Sequence, residues 1–147
     1  VPEIAERTRK LAEKLAEREY EIEGLKRRIA ALTADALVAA APEAQGAVTG
    51  RLPEEDGETI REVAEDIVER HARPVALIAP QRERMRWCVG IPKNVDIDFN
   101  ASKSDVLPPI AGKGGGKAPY WQGVAENAAG IEEFFEMFRA LVRRAEG

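Results

Sequence analysis

Between Ile4 and Ala39 the small and apolar positions recur at alternating steps of four and three residues. With Ile4 at heptad position d, the seam runs Thr8 (a), Leu11 (d), Leu15 (a), Arg18 (d), Ile22 (a), Leu25 (d), Ile29 (a), Leu32 (d), Ala36 and Ala39. Glu, Lys and Arg fill much of the remainder, so the pattern predicts one long coiled-coil helix. Thr8 and Arg18 are its flaws and weaken the N-terminal half. An apolar stripe of this length needs a second helix beside it. Leu11, Leu15, Ile22, Leu25, Ile29 and Leu32 are the dimerisation candidates. The partner is either a second copy of the chain or a helix from outside the sequence. Pro42 and Gly46 close the helix, which sets residues 1–43 apart from a globular unit at 44–147.

That unit reads as a mixture of short strands and helices. Ala47 to Leu52 is a short strand. Asp56 is a helix cap, and Ile60, Val63, Ala64, Ile67, Val68 and His71 give residues 57–71 an apolar face. The run Pro74 to Ala79 is a buried strand. A polar turn at Gln81-Arg82-Glu83 joins it, as an antiparallel hairpin, to Met85 through Ile91. Asp96 and Asp98 alternate with Val95, Ile97 and Phe99, as on the polar face of a strand. A short helix over 100–107 stops at Pro108-Pro109. Ile131, Phe134, Phe135, Phe138, Leu141 and Val142 line one face of a terminal helix and pack on the sheet. The fold class is therefore α+β: a long N-terminal coiled-coil helix, then a small α/β domain whose short sheet is packed by helices.

The chemistry of the chain centres on Gly112-Lys113-Gly114-Gly115-Gly116-Lys117, followed by Tyr120-Trp121-Gln122-Gly123. Three consecutive glycines let a backbone take positive φ and lie directly against a ligand. Successive N–H groups in such a bend form an anion-binding nest. Flanking lysines and nearby rings suit a sugar-phosphate backbone with exposed bases. A mobile loop without a ligand is the competing reading.

The 147 residues carry a net charge of −4, which argues against indiscriminate nucleic-acid binding. From Pro80 to Tyr120, however, seven cations face four anions, a local +3 that leaves −7 elsewhere. The glycine segment sits in the basic island of an acidic chain. One cysteine, Cys88, excludes an internal disulfide and reads as a buried apolar residue in a reducing cytoplasm. No apolar run approaches membrane length, and Val1-Pro2-Glu3-Ile4 lacks the features of a signal peptide. The missing initiator Met suggests a fragment.

Several chemistries fail on spacing. A P-loop would need glycine at Ala111 and Ser or Thr at Ala118, and a dinucleotide fingerprint would need glycine at Lys117. One histidine and one cysteine make no zinc site, and His71 reads as a helix-end or partly buried residue. Asp96 and Asp98 have no activated nucleophile or metal beside them. The sequence assigns no catalytic residue, metal or cofactor.

Asn100-Ala101, the Gly112–Lys117 segment and Gln122-Gly123 resemble the C-terminal domain of alanyl-tRNA synthetase, in a group first noted beside the DHH phosphoesterases. The family pattern is a helix, a G-x-G-G-G-[RK] loop and an alanine-glutamine pair before further glycines. Here Trp121 stands in place of that alanine, and Val124 and Ala125 in place of glycines. Lys117, where phosphoesterase relatives carry histidine, favours the synthetase branch. The resemblance implies binding at the outer corner of a tRNA, alanine tRNA foremost, and dimerisation through the preceding helix. On it, Gly114, Gly115 and Gly116 approach the RNA backbone, Lys117 meets phosphate, and Gln122 bonds a base or ribose edge or braces its own loop. The residues themselves add Tyr120 and Trp121 as stacking candidates, Trp121 being equally suited to the core, with Lys113 and Lys103 as electrostatic support. Two other readings remain: a coiled-coil module that binds protein, and the substrate-binding half of a phosphoesterase-type or trans-editing enzyme.

Overall fold

Residues 2–41, 46–53 and 59–146 are described by a computed structural model. Helix α1 spans Pro2–Ala40, and the strand order that follows is β1 (Val48–Arg51), β2 (Val75–Gln81), β3 (Arg84–Gly90), β4 (Lys113–Lys117) and β5 (Tyr120–Ala125). Between them lie α2 (Ile60–His71) and α3 (Phe99–Val106), with α4 (Ile131–Glu146) last. The five strands form one sheet in the order β1-β2-β3-β5-β4. β1 runs parallel to β2 and all other neighbours are antiparallel. The fold is α+β, with the long helix leading a small sheet covered by helices.

Alternation along the central strands divides the core. Ala76, Ile78, Trp87, Val89 and Trp121 face a layer built by α3 and α4, where Phe99, Phe134 and Phe138 are fully enclosed. Val75, Leu77, Ala79, Cys88 and Tyr120 point the other way, toward α2. Ile60, Val63, Ala64, Ile67 and Val68 supply the buried stripe of α2. Both faces are covered over β2 and β3, which explains why β2 reads as an unbroken apolar run. The expected hairpin and the aromatic face of the last helix are both present. α2 begins at Ile60; Asp56 and the first turn expected of it, like the 43/44 boundary, lie outside the described residues.

Two expectations need correction. The segment around Asp96 is irregular, not a strand: Val95 bonds back to Pro92 and Ile97 to Val95, so no ladder partner is engaged. Asp98 instead caps α3, its Oδ1 accepting the Asn100 N–H at 3.1 Å. The glycine segment is also not a free bend. It is β4, paired along its length with β5.

α1 has two opposed faces at its C-terminal end. Ala30 and Ala34 are buried against α2 with Leu37 and Val38 beside them, while Ile29 and Leu32 remain 50% and 69% exposed. A polar clasp locks this junction. Arg70 donates to Asp35 and Asp66, each at 2.6 Å, and the His71 ring bonds Asp35 at 2.8 Å. Asp35, Asp66 and His71 bring their ligand atoms within 4.8 Å of one another. The Arg70 guanidinium already occupies the space among the carboxylates, so the set fits an ion-paired clasp and not a cation site.

Candidate nucleic-acid interface

The glycines of β4 exist because two backbones cross closely there. A Cβ on Gly114, whose φ is +142°, would stand 2.4 Å from the Gln122 carbonyl oxygen. On Gly123, its register partner, a Cβ would stand 1.9 Å from the Lys113 oxygen. Gly115 differs: its nearest neighbour would be Lys103 Nζ at 3.7 Å. The Lys103 ammonium thus lies against the middle of a side-chain-free edge strand whose ends are Lys113 and Lys117. Both end lysines are exposed, as are Gly114, Gly116 and Gln122. About 13 Å of backbone separates the end lysines at strand rise. The arrangement presents three ammonium groups along one strip of bare main chain.

Gln122 is the register partner of Gly115 and points to solvent. Trp121 and Tyr120 do not. Trp121 is 2% exposed, its indole N–H donates to Asn100 Oδ1 at 3.0 Å, and its ring packs 5.3 Å from that of Phe99. Tyr120 lies in the opposite layer, with the Arg61 guanidinium 4.5 Å above its ring. Burial pushes its phenol up to about 12, and among the described residues the hydroxyl has no hydrogen-bond partner. The stacking role expected of both rings is therefore corrected: neither offers a face to a base. Trp121 takes the core position that was its alternative.

One cation escaped the motif reading. Arg86 on β3 pairs with Val124, which pairs with Lys113, so the three form one cross-strand row. Arg86, Gln122 and Val124, with Ile60, Trp87 and Gly123, line an open cleft of about 280 Å³. The Arg86 Nε–H donates to Gln81 Oε1 at 2.6 Å, which holds the side chain along the sheet. Nothing local in the sequence says that β5 inserts beside β3, and only that insertion brings Arg86 near the glycine strand.

The DHHA1 domain family matches residues 44–144, most of the chain. The chain belongs to the DHHA1 domain family. An alanine–tRNA ligase of Psychrobacter cryohalolentis is 33% identical to this DHHA1 chain over 139 residues, covering 87% of it. The chain spans only 15% of that relative's length. In fold, the DHHA1 chain is similar to the C-Ala domain of Aquifex aeolicus alanyl-tRNA synthetase. The TM-score is 0.59 at 18% identity, covering 65% of this chain and 89% of that one. It is also similar to RecJ of Thermus thermophilus, with TM-score 0.64 and 20% identity, covering 85% of this chain and 18% of RecJ.

Proposed function

We infer that this chain is a noncatalytic, cytoplasmic tRNA-binding and self-association module of an alanyl-tRNA synthetase or a close paralogue. The observation that carries the reading is the glycine edge strand with Lys113 and Lys117 at its ends and Lys103 against its middle, in a chain related to an alanine–tRNA ligase. Ammonium groups on exposed main chain suit the phosphates of a folded RNA, here the outer corner of alanine tRNA. Gln122, exposed beside Gly115, contacts a base or ribose edge. Affinity comes from phosphate contact, without aromatic stacking. Self-association uses Leu11, Leu15, Ile22, Leu25, Ile29 and Leu32, which are all at least half exposed. Among the described residues no helix is long and apolar enough to cross a membrane.

Binding of alanine tRNA at two or more salt concentrations tests the RNA role. Lys113→Ala with Lys117→Ala should weaken binding and reduce the magnitude of the salt slope by about 1.5. An unchanged slope would remove β4 from the interface. The likeness to RecJ favours one other reading, the substrate-binding half of a phosphoesterase-type enzyme. Single-stranded DNA that outcompetes tRNA for the same lysines would support that reading instead.

A further inference from the structure

The exposed seam of α1 lies on the side of the helix away from its own domain. Ala34, the centre of the docked face, is two residues beyond Leu32, about 200° around the helix. A partner can therefore cover the seam without displacing α2. We propose that the partner is α1 of a second copy, running antiparallel in a single register that sets Ile22 against the partner's Leu25 and Leu15 against the partner's Leu32. The proposal rests on the self-association reading above and adds its direction and register.

Size and charge along the seam both select this arrangement. In a parallel, in-register pair, Arg18 would face its own copy in the apolar layer, and Ala36 and Ala39 would each meet themselves and leave space. The antiparallel register places Arg18 on the partner's Ile29, where its stem can cover apolar surface with the charge at the rim. Leu11 then meets the partner's Ala36, large against small. The flanking positions agree: Glu21 faces the partner's Arg28, and Glu19 faces the partner's Lys26. A slip of one heptad in one direction sets Lys14 on the partner's Arg28 and each of Glu19 and Glu21 on itself. A slip in the other direction sets each of Arg28 and Lys26 on itself. Either slip replaces attraction with repulsion.

The test uses the full 147-residue chain with Cys88→Ala, so that only introduced thiols can oxidise. Sedimentation equilibrium should show a dimer. Leu15→Cys mixed with Leu32→Cys should give a disulfide-linked heterodimer, and neither variant alone should cross-link. Arg28→Glu should raise the dimer dissociation constant about tenfold, and adding Glu21→Arg in the same chain should restore it. A parallel dimer would instead bring the new arginine against the partner's Lys26 and give no rescue. Cross-linking of Leu15→Cys with itself, or failure of the charge swap, would overturn the register while leaving self-association standing. A monomer at every concentration would overturn both and assign the seam to a different helix.

Discussion

The indole N–H of Trp121 donates to the side-chain oxygen of Asn100 at 3.0 Å, tying β5 to the first turn of α3. This bond fixes the helix that carries Lys103 relative to the sheet that carries Lys113 and Lys117. Asn100→Ala leaves a donor unpaired in an enclosed layer and should cost about 1–3 kcal/mol. Urea unfolding followed by tryptophan fluorescence measures the loss. A midpoint equal to that of the parent chain would show that the bond contributes nothing.

Neighbouring glycines should respond in opposite ways to the same substitution. Gly114→Ala forces a Cβ into the Gln122 carbonyl at a backbone angle that L residues rarely adopt. The backbone conformation alone costs about 1–3 kcal/mol. Gly115→Ala meets only the movable end of Lys103 and should stay within about 0.5 kcal/mol of the parent. Thermal melts of the two variants check the contrast. Equal destabilisation would contradict the strand geometry.

Burial raises the Cys88 thiol to about 12 and the Tyr120 phenol to about 12. Both groups ionise more readily in the unfolded chain, so unfolding releases protons at alkaline pH. The stability they protect is complete below the ordinary thiol range and is lost as pH climbs toward about 12. Urea midpoints should therefore fall steadily above about pH 8.5. Cys88→Ala should flatten that fall. A thiol reagent should likewise leave the native chain unmodified at neutral pH and react on unfolding.

Arg86 belongs to the same cross-strand row as Lys113. Arg86→Ala should weaken tRNA binding and lower the magnitude of the salt slope by about 0.7–0.9, the value of one phosphate contact. Lys10→Ala, far along the exposed arm, serves as the control and should leave the slope unchanged. A slope identical in both variants would confine the interface to β4 and α3.

Much of the architecture was legible because side chains announce it. The apolar run at Val75 and the polar turn before Arg84 specify a hairpin by themselves. The spacing of Phe134, Phe135 and Phe138 specifies a helix and the face that it buries. Glycines carry no such pattern, and their weak strand propensity hid β4, whose conformation comes from its pairing with β5. The same pairing decides which way Trp121 points, since a slip of one residue would have turned it outward. Asp96 and Asp98 misled for the opposite reason: alternation was present, but no neighbouring strand was available to make use of it. Lys113, Lys117 and Gln122 become candidates from composition and motif alone. Arg86 could not, because its neighbours are set two strands away.

β4 also forms one border of the sheet, since among the described residues β5 is its sole neighbour in the strand order. Such a border invites edge-to-edge pairing with other molecules, the usual start of aggregation. Lys113 and Lys117 at its two ends, with the reversed backbone at Gly114, make it a poor template for strand addition. The pair of cations that would hold a nucleic acid therefore also keeps this edge from recruiting other copies, and removing both should make the chain less soluble even where no RNA is present.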